Sequence, residues 1–291
     1  MTAQGTARLR FETWLHARRE AWRSAFVRGP VSAFAFEFVS FGVKNAWACL
    51  FGGTMLVLLV STYWFYPAHA LLARYDFLTL GALAIQALML ATKLETWGEA
   101  RAILAFHIVG TVMEVFKTGV GSWIYPEPSV LRIAGVPLFS GFMYASVGSY
   151  IARIWRIFAF RFTRFPPIWA QGLLAAAIYA NFFAHHYLPD IRIALYLGSL
   201  IVYGPCMLAY RPDLKYRPMP LVVGLVLTAL FIWFGENLGT FARAWIYPGQ
   251  QAGWRPVSVS KLGAWYLLMI ISFALVSALH AGEVRPASRR A

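Results

Sequence analysis

Two glutamates stand inside apolar stretches of the chain, and the residues that follow them repeat. Thr118, Trp123, Ile124, Tyr125 and Pro126 follow Glu114, and Thr240, Trp245, Ile246, Tyr247 and Pro248 follow Glu236, all at one constant offset of 122 residues. An ionised side chain at the centre of a bilayer costs about 2.5 to 3.5 kcal/mol even on the lenient insertion scale. Each carboxyl must therefore be paired, protonated or turned towards a polar cavity. A carboxyl kept protonated by desolvation is a general acid or a proton carrier, so Glu114 and Glu236 are the candidate catalytic pair.

Helical spacing places His107, Thr111, Glu114, Lys117 or Thr118, and Gly121 on one face, and Asn237, Thr240 and Arg243 group with Glu236 in the same way. His107, Lys117, Thr118, Trp123, Tyr125, Asn237, Thr240, Arg243, Trp245 and Tyr247 are thus the candidate substrate-binding residues. Bland readings stand beside this one. Glu114 can pair with Lys117 one turn away, Glu236 can bond Thr240, and the Trp and Tyr residues can be membrane-interface belt residues. Asn181, His185 and His186 close an apolar run, but no second His-bearing motif accompanies them, so no metal site is expected. Gln86, and Gly204 and Pro205 before Cys206, mark a cavity wall, a kink or plain packing. No nucleotide, hydrolase or metalloprotease fingerprint occurs, so no cofactor is expected.

The elements that must position these residues follow from composition. Of 291 residues, 59% are hydrophobic and 13% charged, and the mean hydropathy is +0.58, the range of polytopic membrane proteins. The net charge of +14 lies between the apolar runs rather than within them, the pattern of membrane orientation rather than of nucleic-acid binding. Apolar runs at about 45–66, 75–92, 102–123, 136–153, 168–187, 192–210, 220–243 and 260–280 predict eight membrane-spanning helices, with prolines in the gaps. Backbone groups in lipid must be satisfied internally and no alternating ten-residue strands occur, so the class is all-α. Loop arginines and lysines favour both termini on the cytoplasmic side of a bacterial inner membrane. Residues 8–28 interleave arginines with aromatics, as in a helix lying on an anionic leaflet or a solvated basic tail, and lack the apolar core of a cleaved signal peptide. Residues 31–43 are apolar but short and carry Glu37. An interfacial or re-entrant segment is expected there, a ninth span being the alternative.

The offset of 122 also maps Trp47–Ala48 on Trp169–Ala170, Pro67 on Pro189, Gly141 on Gly263, Tyr144 on Tyr266 and Ala152 on Ala274. The expected organisation is a basic amphipathic segment (1–44), a first four-helix repeat (45–166) and a second (167–291). Four crossings return the chain to its starting side, so the repeats are parallel and related by an axis along the membrane normal. Both glutamates then lie at one depth, eleven residues, or about 16 Å of helix rise, from Tyr125 and Tyr247.

His107, Glu114, Lys117, Trp123, Tyr125 and Pro126, with Gly135-Val136-Pro137 and Trp245-Ile246-Tyr247-Pro248, resemble the YoaT-like family of uncharacterised bacterial integral membrane proteins. Glu114, Thr118-Gly119, Tyr125 and Gly135-Val136-Pro137 also look, more faintly, like the intramembrane carotenoid hydratases and small lycopene cyclases. That likeness implies helix-borne acids protonating an isoprenoid double bond. Three readings follow: a cofactor-independent enzyme moving protons onto an apolar, isoprenoid-like lipid, a proton-coupled transporter or channel with its site between the repeats, and a packing scaffold. The lipid bilayer is the expected partner, with a small hydrophobic substrate or a transported solute, and no nucleic acid.

Overall fold

The computed structural model describes residue 18 and residues 20–279, so part of the arginine-rich stretch 8–28 and the basic tail after 279 lie outside the described residues. A helix over 20–26 (α1) leads into α2 (Pro30–Ala48) and α3 (Leu50–Phe65), which meet at a bend of 70°. α4 (Arg74–Ala91), α5 (Trp97–Gly119) and α6 (Phe139–Ile157) follow, then α7 (Ile168–Ala184), α8 (Arg192–Tyr203), α9 (Leu221–Phe241) and α10 (Ser260–Leu279). Every apolar run expected to be a span holds a helix. α9 and α10 are long and apolar enough to cross a membrane, and α2 with α3 adds a third span if the bent pair is counted as one.

The all-α expectation needs two local corrections. The run 192–210 is helical only to Tyr203, because Pro205 has no N–H to continue the ladder, and Met207–Tyr210 forms strand β4 instead. β4 pairs antiparallel with β3 (Arg161–Thr163) and with β5 (Arg217–Pro220). The run 136–153 likewise begins as strand β2 (Val136–Pro137), hydrogen-bonded to β1 (Arg132–Ile133), before α6 starts.

α2 runs beside the β4–β5 hairpin. Arg23 donates to Asp213 (2.8 Å), the Arg217 guanidinium grips both Glu37 oxygens (2.7 and 2.6 Å), and Lys44 donates to the Arg211 carbonyl (2.8 Å). The Arg217 hydrogen bonds hold the Glu37 carboxyl below the usual carboxylate range. Positions 23 to 44 would be separated by about 30 Å on a straight helix. All three contacts instead reach the segment 211–217, as expected of a helix lying along one face.

α5 packs chiefly along α6, and α10 lies against α9, α7 and α6. Small residues permit the close approach. A Cβ on Gly110 would meet the Tyr144 ring at 2.7 Å, and one on Gly148 would meet the Phe106 ring at 2.4 Å. Two helix ends matter most for the site. After α5 the Ser122 N–H bonds the Lys117 carbonyl (2.9 Å) and the Gly121 N–H bonds Thr118 (3.1 Å), with Gly121 at φ +75°. After α9 the Ala244 N–H bonds Gly239 and the Arg243 N–H bonds Thr240, each at 3.0 Å, with Arg243 at φ +52°. Both are left-handed helix stops of the Schellman type, and Gly121 and Arg243 are one offset of 122 apart.

These stops give a clean stability test. A Cβ on Gly121 would meet nothing within 4 Å, so its cost is conformational alone. Gly121→Ala is expected to lose about 1 kcal/mol, and Arg243→Gly to lose none, in thermal melts of the detergent-purified protein. Equal melting points for Gly121→Ala and the parent would refute the left-handed stop.

Candidate functional site

The helix stop turns the chain back on itself, so that Trp123 and Tyr125 lie over the last turns of α5. The Trp123 indole N–H donates to Glu114 Oε2 (2.7 Å), the Tyr125 hydroxyl donates to the same oxygen (2.6 Å), and Tyr144 of α6 donates to Oε1 (2.7 Å). The second copy is built alike: Trp245 Nε1 donates to Glu236 Oε1 (3.1 Å), as does the Tyr247 hydroxyl. Both glutamates are buried, at 4% and 5% exposure. Burial, and then the adjacent glutamate, push the Tyr125 and Tyr247 hydroxyls well above the usual tyrosine range, which keeps them donors.

Ile124 and Ile246, each next to these aromatics, bond each other through N–H and carbonyl in both directions at 3.0 Å. An antiparallel bridge between residues one offset apart is what a local two-fold relation requires. The Trp123 and Tyr247 rings meet edge to face across it, 5.9 Å apart.

The other expected residues divide. Lys117 makes no pair with Glu114; its ammonium lies 2.8 Å from His186 Nε2 and 3.3 Å from His185 Nε2, and over the Phe182 ring at 4.3 Å. Thr240 bonds the Glu236 backbone carbonyl rather than its carboxyl, and accepts from Trp254. Asn237 caps the Val257 N–H, so it is structural here. Arg243 is exposed and serves the helix stop. His107 packs on Phe142 with its Nδ1 buried and unpartnered, and the Thr118 hydroxyl is also buried and unpartnered. Gln86 donates to Glu95 in a separate buried cluster, where Ser149 donates to Glu95 (2.8 Å) and Arg153 pairs with it (3.4 Å). No group of metal-ligating side chains occurs among the described residues.

Lys261 at the start of α10 is missing from the sequence expectations. Its ammonium lies 4.3 Å from the Tyr247 ring centre and 5.4 Å from that of Trp123. A lysine opening an apolar helix reads in sequence as an interface anchor, and only the fold brings it over the aromatics. Tyr144 is marked in sequence only by its partner Tyr266, which bonds Ser199 rather than a carboxyl. Beside Trp123 opens a cavity of about 290 Å³, whose polar lining includes Lys117, Lys261, Arg192, Asn181 and His185. Arg192 is paired with Asp190. Partial burial pushes the Asp190 carboxyl up, but bonds from Asn181 and from the Arg192 N–H and side chain hold it below the usual range. A second cavity, against Tyr144, Gly110 and Trp265, is apolar and only about 20 Å³.

A solved structure of a cross-linked MvINS trimer covers 68% of this chain and 97% of its own, with 11% identity and a TM-score of 0.46. The "Uncharacterized protein YoaT" of Bacillus subtilis (strain 168) is 41% identical over 244 residues, 84% of this chain and 91% of that protein. The model of a family described as "Protein of unknown function (DUF817)" matches residues 37–273, a span that includes both glutamates, both helix stops and the bridge. The chain therefore belongs to the DUF817 family and is a relative of YoaT.

Proposed function

We propose that this protein is a multi-pass protein of the bacterial plasma membrane, built of two parallel four-helix halves. On this reading it carries a small polar solute in step with protons held by Glu114 and Glu236. The observation that carries the reading is the duplication of one carboxyl setting, Glu with Trp and Tyr donors, on either side of the Ile124–Ile246 bridge. Ionisable groups inside membrane folds mark ion and proton paths, and carriers place them where repeats meet. Basic residues of the β3–β5 sheet and the contacts of α2 with residues 211–217 favour a cytoplasmic face there, with α2 lying along it.

Both Glu114 oxygens already accept protein donors, and the apolar cavity against Tyr144, at about 20 Å³, has room for about one water. The larger cavity is lined by cations. These features favour a polar solute over an apolar lipid. One observation favours the second reading, an acid catalyst for an isoprenoid-like lipid. Trp123 and Tyr247 already hold an ammonium against their faces, the interaction that would steady a carbocation.

Three outcomes are expected. In proteoliposomes, a pH gradient should drive uptake of at least one small carboxylate or phosphate, and Glu114→Gln or Glu236→Gln should cut that uptake about tenfold or more. Gradient-independent flux, or none for the whole panel, would end the carrier reading. Cells bearing either substitution should keep their pigment and polyprenyl lipid profiles, whereas a changed profile would establish the catalytic reading in its place. In a background lacking Cys49 and Cys206, Val130→Cys should react with an impermeant maleimide in intact cells and Lys215→Cys only after permeabilisation. The reverse pattern would invert the topology.

A further inference from the structure

The two copies of the site are alike in their carboxyls and aromatics, and they differ where they touch the larger cavity. At the place held by Gly239 in the second copy, the first has Lys117. A Cβ on Gly239 would meet the Trp245 ring at 2.2 Å, so that copy closes its indole down on the helix. At the place held by Phe139 in the first copy, the second has Lys261. Phe139 packs on Tyr125 with ring centres 6.1 Å apart, and Lys261 packs on Tyr247 in the corresponding way. Each copy thus carries one lysine that its twin lacks, and both lysines line the same cavity of about 290 Å³.

Neither ammonium is neutralised by a direct ion pair. Among the described residues no carboxylate lies within ion-pairing distance of Lys117 or Lys261. Lys117, only 4% exposed, leans on two imidazoles and a phenyl ring. Lys261 leans on two aromatic faces, and Glu114 and Glu236, the nearest acids, are engaged by their Trp and Tyr donors. Arg192 adds a third cation at the wall, ion-paired with Asp190. Two ammoniums at one cavity wall without a direct carboxylate partner form a charge pattern that a bound anion would complement. Asn181 and His185 also line the cavity but are engaged, Asn181 with Asp190 and the Ile191 N–H, His185 with Lys117 and the Asn181 carbonyl, and Ile178, Phe182, Leu267 and Leu268 bound the apolar side.

We infer that this cavity is a binding site for a small soluble oxyanion, a dicarboxylate or a phosphate compound, held between the Lys117 and Lys261 ammoniums. The inference rests on the carrier reading only for what binding achieves, since the site is complete without any transport. The cavity of about 290 Å³ has room for several waters, enough for a solute of a few heavy atoms.

The test is direct binding to the full-length protein in neutral detergent, by calorimetry with succinate and with inorganic phosphate at fixed ionic strength and chloride as the control anion. Saturable binding of either is expected, weakened roughly tenfold or more by Lys117→Gln and by Lys261→Gln and unchanged by the exposed Lys215→Gln. Size-exclusion profiles verify folding, and because Lys261 is less buried than Lys117, its variant decides the matter if Lys117→Gln misfolds. Equal heats for succinate, phosphate and chloride, or binding indifferent to both cavity lysines, would overturn the inference. So would protection by phosphatidylglycerol nanodiscs without any response to the soluble anions, which would assign the lysines to a lipid headgroup. Lysine-dependent binding without gradient-driven uptake would keep the anion site and reject the carrier. Gradient-driven uptake untouched by either lysine variant would do the reverse.

Discussion

A carboxylate taken out of water must be given donors, and much of the site's architecture serves that need. Glu114 receives three, from two residues just beyond its own helix and one on α6. Glu236 receives the Trp and Tyr donors of its own copy. Each charge-assisted hydrogen bond is worth about 1.5 to 3 kcal/mol, enough together to offset several kcal/mol of desolvation at a buried carboxyl. The left-handed helix stops, Gly239 beneath Trp245 and the Gly110 contact with Tyr144 are the means by which those donors arrive.

The same need explains why the two glutamate segments touch where they do. Once each chain folds back over its glutamate, the next residue presents an open backbone edge, and Ile124 and Ile246 satisfy each other's groups. Around that bridge the aromatic rings interlock, and Lys261 is drawn over them. Packing, hydrogen bonding and charge thus converge within a few residues of one line through the molecule.

Much of this was legible in the residues. The apolar runs located the helices, and the offset of 122 pointed to the glutamates and to the Trp and Tyr that bond them. What periodicity could not supply was the reversal. Glu114 and Trp123 are nine apart, outside any helical contact pattern, and meet only because Gly121 takes a left-handed φ. Arg243, grouped in sequence with the binding residues, occupies the equivalent stop, where a positive φ is unusual for its type and gives no sequence signal. The Lys117–Glu114 pair suggested by spacing lost to two histidines 68 and 69 residues away, a long-range choice that local sequence does not encode. The strands after Tyr203 were hidden because Met207–Tyr210 is as apolar as a span, and only Pro205 hints at the break.

The Ile124–Ile246 bridge constrains any large motion. The bridge does not act alone: Arg74 donates to the Ala242 carbonyl (2.7 Å), the Tyr75 hydroxyl donates to the Arg243 carbonyl (3.3 Å), and α10 packs on α6. Sliding the segment around Glu236 past the one around Glu114 would break all of these bonds together with the reciprocal pair at Ile124 and Ile246, so the two carboxyl settings are held in one fixed register.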